Sequence, residues 1–262
     1  MIEEPHWMLV MTQHLNDYSI RRVQVELPRG APFSLDDLAK LDVDRHAAAR
    51  QVRSGWLVRL GQGVYAFPND PLDRARTTAF LGSRLPGLHV AARTALDLHG
   101  VRHNLANRES WILWGDAPAK LPAWYTQRFP ARYAATRLFE WPDDALPAAT
   151  LGTPPALNAD LAVSVPERAL LEMLHEVGVH QSLEEAHQLF ENLRPPRRDL
   201  LAQLLQCCTS IKAVRLFLTW ARETRLLDVD QLLADYTLPV GSQSRWMTRL
   251  KDGTLLTLHP HG

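Results

Sequence analysis

Between Arg45 and Gly63 the chain carries four arginines and no acidic residue. Arg45, His46, Arg50 and Arg53 fall at spacings that gather on the outer side of one helix, and Arg59 and Gln62 follow on a short glycine-bounded hairpin. Guanidinium groups arrayed in this way suit a polyanion. They donate to phosphate oxygens, which positions a ligand, and one held mid-helix can span two acceptors on a guanine edge, which specifies it. Arg50 is placed for the base edge, Arg53 and Arg59 for phosphate, and Arg59 and Gln62 for phosphate or a minor groove.

Catalytic chemistry finds no comparable support. His175 and His180 flank Glu176 in a run resembling a zinc-protease motif, but it is one residue too long for a shared helix face, and Gly178 ends the helix between them. The two cysteines are the adjacent Cys207 and Cys208, so no Cys-x-x-Cys pair is available for zinc, and both read as reduced core residues. Neither a Gly-x-Ser-x-Gly elbow nor a phosphate-cradling Walker loop occurs. A nuclease site of the Asp…(Asp/Glu)-x-Lys type needs an acid two residues before a lysine. Lys40, Lys120, Lys212 and Lys251 are preceded there by Leu38, Pro118, Ser210 and Arg249. The sequence implies no enzyme, no metal and no cofactor.

The elements that must hold the arginines are legible. Ser34 is a good N-cap with Asp37 three residues on, and Leu35, Leu38 and Leu41 form one apolar stripe. Asp42-Val43-Asp44 breaks that helix, and Asp44 caps a second, alanine-rich one from Arg45 to about Ser54. Gly55 suits the left-handed position beyond its end. Strands over Leu57–Leu60 and Val64–Phe67 then turn through Gly61-Gln62-Gly63. Helix, turn, helix and hairpin in this order make a winged helix-turn-helix.

Asn69-Asp70-Pro71 punctuates the chain after this module and predicts domains over 1–70 and 71–262. The second begins with mixed strands and helices: strands over Leu88–Ala91, Trp111–Trp114, Ala131–Phe139 and Leu161–Val165. Ser164 to Glu167 reads as a capping box opening a helix over Pro166–Val177. Further helices are expected from Ser182, over Arg198–Cys208 and over Ser210–Thr224, then a terminal hairpin over Arg245–Leu258 turning at Asp252-Gly253. The expected class is α+β: an N-terminal winged helix-turn-helix before a larger mixed α/β domain with a helical second half and a terminal β-hairpin. Across the 262 residues, 29 lysines and arginines balance 29 acids, which argues against a coat for nucleic acid but not against a small basic reading face. No apolar run reaches membrane-spanning length, and HWMLVM lacks the basic flank of a signal peptide, so a cytoplasmic protein without membrane partners is expected.

The runs RQVRSGWLVRLGQGVYAFPNDP (50–71), HVAARTALDLHGV (89–101), SVPERALLEML (164–174) and TSIKAVRLFLTWA (209–221), with a looser LPAWYTQRF (121–129) and the tail near Gly241, resemble the AbiEi family of type IV antitoxin transcriptional regulators. The resemblance implies a winged helix that binds inverted repeats in double-stranded operator DNA and represses its own operon. It implies a C-terminal domain that neutralises a neighbouring nucleotidyltransferase-like toxin, without need of a stable complex, in a system of the phage-defence class. Carried over by position, the DNA-facing residues are Arg45, His46, Arg50, Arg53, Arg59 and Gln62. Arg93, Arg168, Lys212 and Arg215 lie at family-like positions, where they form either a basic antitoxin surface, with RNA as a further partner, or internal ion pairs. The sequence departs from the family pattern at Ala47-Ala48-Ala49, which implies thin base readout, and in the weakly basic tail GSQSRW. The alternative is a non-catalytic interaction module that uses the winged helix to dock protein.

Overall fold

The computed structural model describes residues 20–102, 110–143, 145–155, 157, 159–242, 244–249, 253 and 255–258. They form two compact units, one running to Arg84 and taking in Leu121–Arg128, the other comprising Leu85–Lys120 and the chain from Phe129 onward.

The first unit holds α1 (20–26), β1 (Phe33–Ser34), α2 (Leu35–Ala39), α3 (Arg45–Arg53), β2 (Val58–Gly61), β3 (Val64–Ala66) and α4 (Arg74–Gly82). The sheet order is β1-β3-β2, antiparallel throughout. β1 is not foreseen by the sequence because two residues show no alternation to read. It pairs Phe33 with Tyr65, and the Phe33 ring lies 5.1 Å from that of Phe67. The core beneath α2 and α3 is apolar: Val23, Phe33, Leu38, Val43, Ala48 and Leu57 are all buried. The expected caps form. Ser34 accepts from the Asp37 N–H at 3.0 Å while Asp37 accepts from the Ser34 N–H at 2.9 Å.

The predicted boundary at residue 70 differs from this unit's extent. Asp70 accepts from the Gly30 N–H at 2.8 Å, and the Asp73 N–H donates to the Gly30 carbonyl at 2.7 Å. The turn is therefore tied back to the winged helix and does not act as a linker. α4 follows it and is buried along Ala75, Thr77, Thr78 and Leu81; the Thr78 hydroxyl lies 2.7 Å from the Tyr125 hydroxyl in the returning segment.

The second unit opens with β4 (His89–Val90), α5 (Ala92–Leu98) and β5 (Trp111–Gly115). The chain then contributes α6 (Ala123–Thr126) to the first unit and returns as β6 (Ala131–Ala135), α7 (Ala145–Ala149), β7 (Leu151–Gly152) and β8 (Val163–Ser164). These strands form one mixed sheet, ordered β6-β5-β4-β8-β7, in which β5 runs parallel to β6 and β4 parallel to β8. β6 stops four residues short of the predicted Phe139, where the Thr136 N–H turns to the Gly115 carbonyl. Helices α8 (Pro166–Glu176), α9 (Leu183–Glu191), α10 (Arg198–Cys207), α11 (Ile211–Thr224) and α12 (Val229–Asp235) follow. The terminal hairpin pairs β9 (Trp246–Arg249) with β10 (Leu255–Leu258); Asp252, expected in its turn, lies outside the described residues.

The capping box expected at Ser164 does not form. The N-cap is Val165, and the Ser164 hydroxyl instead donates to Glu172 at 2.9 Å. Glu172 is wholly buried on α8, and its carboxylate also meets Arg168 Nε at 2.8 Å, the Ala92 N–H at 2.9 Å and His89 Nε2 at 3.2 Å. Burial alone raises a carboxyl's pKa. The hydrogen bond with His89, the charge of Arg168 and the Ala92 N–H outweigh it and hold Glu172 down to about 2. A depressed carboxyl stabilises the fold fully above its unfolded pKa and loses that contribution as pH falls through the folded value. Glu172 should therefore supply about 3 kcal/mol at neutral pH, lost between pH ~4.5 and ~2. Denaturant unfolding across that range should show this slope in the native chain and a flatter one in Glu172→Gln, which should also be less stable at pH 7. Parallel curves would contradict the assignment.

Candidate nucleic-acid interface

α3 begins where Asp44 accepts from the Ala47 N–H at 2.6 Å, a bond that holds the Asp44 carboxyl below its ordinary range. It ends before Gly55, which takes a φ of +79° that a side chain would strain. Ala47, Ala48 and Gln51 point inward, while Arg45, His46, Ala49, Arg50 and Arg53 are exposed. Among the described residues the side chains of Arg45, Arg50 and Arg53 make no hydrogen bond or ion pair and are exposed, with the charge of Asp44 at the helix start acting on Arg50. Gln51 is 2% exposed, and neither of its amide atoms has a partner among the described residues. Apolar packing, not a polar network, therefore seats the helix.

The wing follows directly. The Trp56 and Leu57 N–H groups both donate to the Gln51 carbonyl, which fastens the start of β2 to α3. Leu57 is buried, whereas Trp56, Val58 and Arg59 are exposed. Arg59 Nε donates to the Gly61 carbonyl at 3.1 Å, and exposed Gln62 forms the tip beside Gly63, whose φ is +65°. A side chain at Gly61 would press on the Trp124 ring, 3.0 Å from its Cβ position, so the returning segment braces the wing. All six residues predicted for this face thus lie exposed on α3 and the hairpin joined to it. Trp56 was not among them; its exposure beside arginine-bearing elements has no signal in sequence, where a lone tryptophan reads as core.

Of the two roles the sequence leaves open for Arg93, Arg168, Lys212 and Arg215, a basic surface or internal pairing, the side-chain geometry is that of internal pairing. Arg168 is 8% exposed and its three nitrogens meet Glu172, Thr150 and His89. It pairs along its own helix, and it is Glu167 that pairs across helices, with Arg197 at 2.8 Å. Arg215 is 2% exposed and donates to the carbonyls of Val240, Ser242 and Ser244. Lys212 is half-buried and donates to the His175 and Val177 carbonyls at 2.6 and 2.7 Å, closing the C-terminal end of α8. Half-buried Arg93 pairs with Glu185 at 3.1 Å. These side chains hold the unit's interior, and their positive charge is consumed there. Between His175 and His180, Gly178 turns at a φ of +81°, and among the described residues no group of three or more His, Cys, Asp or Glu side chains could hold a metal ion.

A family model described as a transcriptional regulator and AbiEi antitoxin of type IV toxin–antitoxin systems matches residues 108–259, and a companion described as the AbiEi antitoxin N-terminal domain matches residues 16–107. Among solved structures, that of the RV2827C protein from Mycobacterium tuberculosis is similar in fold, with a TM-score of 0.55 and 17% identity over 94% of this chain and 90% of that one. No curated protein matches.

Arg215→Ala should destabilise the chain by at least about 3 kcal/mol, because it strips three carbonyls of a charged donor and leaves a cavity. Thermal melting with hydrogen exchange at residues 240–244 would check this. A melting temperature unchanged from the parent would restore Arg215 to the surface role.

Proposed function

Because the chain belongs to the AbiEi family of antitoxin transcriptional regulators, we propose that it is an operator-binding repressor of its own operon. In this reading α3 lies in the major groove of double-stranded DNA carrying inverted repeats, and the wing rests on the adjoining backbone. The observation that carries the reading is the exposed, acid-free set Arg45, Arg50, Arg53 and Arg59 on a helix and hairpin whose own bonds leave the helix arginines uncommitted. Arg50 reads a guanine edge, Arg45, Arg53 and Arg59 neutralise phosphates, and His46 and Gln62 complete the rim. The second unit then serves antitoxicity against a nucleotidyltransferase-like toxin encoded beside it. Arg93, Arg168, Lys212 and Arg215 support that activity by keeping the unit's shape. No helix among the described residues is long and apolar enough to cross a membrane, which accords with a ligand in solution.

Gel-shift titration with the DNA upstream of the gene, repeated over a range of salt, tests this. Affinity should fall steeply with salt, and Arg53→Ala should lower the log–log slope by about 0.9. Arg50→Ala should cost about 1–3 kcal/mol and relax discrimination at one base position. Binding that ignores salt, or variants that bind like the parent, would favour the protein-docking alternative.

A further inference from the structure

At the carboxyl ends of the parallel strands β5 and β6 the second unit opens a cavity of about 760 Å³. Crevices at this end of parallel strands are where open sheets receive ligands, and the volume lies within the range of small-molecule sites, about 300–1,000 Å³. A larger neighbouring groove of about 1030 Å³, beside Pro142, Leu146 and Cys207, has no buried charge on its walls. The smaller cavity differs in that two buried polar side chains, Arg168 and His89, line it together with Trp114, Phe139 and Trp141. The Arg168 guanidinium stands 5.4 Å from the Trp141 ring centroid and 5.7 Å from that of Phe139. Its bonds to Glu172 and Thr150 take the Nε hydrogen and one on Nη1, and the contact with His89 Nε2 at 3.2 Å takes at most one on Nη2, so each terminal nitrogen keeps a hydrogen. Such a pair meets two adjacent acceptors bidentately. Opposite in chemistry, the exposed carboxylate of Asp116 lines the same cavity, in space that only a glycine at position 87 leaves open, since a side chain there would collide with it.

Because Glu172 already balances the Arg168 charge, the cavity does not call for a bare anion. It suits a flat heterocycle with two neighbouring acceptors on one edge and N–H donors on another. We infer that this cavity is a binding site for a 6-oxopurine nucleoside, with the base against the Trp141 and Phe139 rings, O6 and N7 on Arg168, and N1–H on Asp116. Adenosine presents an amino donor where Arg168 also donates, so it is disfavoured. No chemical step is involved; the site binds.

Isothermal titration of the full chain with guanosine, inosine, adenosine and benzoate tests this. Guanosine and inosine should bind at least tenfold more tightly than adenosine and benzoate. Trp141→Ala, at the half-buried wall, and Asp116→Asn, at the exposed rim, should each weaken guanosine about tenfold while retaining the parent's circular dichroism. If Trp141→Ala fails to fold, Asp116→Asn alone decides. Adenosine binding as tightly as guanosine, benzoate binding more tightly than either, absence of heat with all four, or variants that bind guanosine like the parent would each overturn the assignment. Gel-shift with Asp116→Asn is a separate readout, and its outcome bears on the repressor reading alone.

Discussion

The larger unit hangs on one buried carboxylate. Glu172 sits on α8, the helix packed against α5, α9, α10 and α11, and receives bonds from the strand residue His89, the Ser164 hydroxyl at the end of β8, the first amide of α5 and Arg168 of its own helix. A carboxylate without water is tolerable only when each lone pair is met, and a guanidinium beside it only when the carboxylate is there. The same constraint fixes what neighbours can do. With Glu172 charged, Arg168 stays inside, and His89 stays wedged between them with Nδ1 donating to the Gly87 carbonyl at 2.7 Å. Replacing any one member would leave its neighbours short of a buried partner.

The first unit solves a different problem with the opposite means. Its core is apolar, its caps are made by side chains three residues from the amides they serve, and its outer face is left to the arginines. Local chemistry of this sort is what a sequence spells out, so the Ser34 and Asp44 caps, the turn at Gly55 and the hairpin through Gly61 to Gly63 were all legible. The fate of an arginine in the second unit was not. Arg168 meets His89 across 79 positions of sequence, and Arg215 reaches carbonyls 25 to 29 positions on. α8 offers no polar face to read, because Glu167, Arg168, Glu172 and Glu176 are all buried along with its leucines. Ser164 misled for the same reason: its spacing to Glu167 fits a capping box, but a buried carboxylate on the next turn competes for its hydroxyl and wins.

The alanines of α3 change meaning once the helix is seated. In sequence, Ala47-Ala48-Ala49 suggests a reading helix with little to read with. In the fold, Ala47 is 8% exposed and Ala48 is not exposed at all, so two of the three are the small residues that let α3 settle on Leu38 and Val43, and Ala49 alone faces outward. A larger side chain at position 48 would lift the helix from the core and carry Arg45, Arg50 and Arg53 with it. The run is therefore a packing requirement that sets the height of the arginines.

That height matters more here than in a strongly basic protein. With positive and negative residues in equal number, the chain carries no net charge to draw it to a polyanion, so any such attraction would rest on the charges of the contacting face. If the helix meets DNA as proposed, each phosphate contacted adds its own increment of salt-dependent affinity, and a displaced helix would forfeit such contacts. The buried arginines of the second unit fit the same economy of charge. Had Arg168 and Arg215 been exposed, the chain would carry a second basic face, which under the proposed repressor role would compete for DNA. Sequestered on Glu172 and on the carbonyls of Val240, Ser242 and Ser244, they hold structure and leave the exposed face of α3 and its wing without that competition.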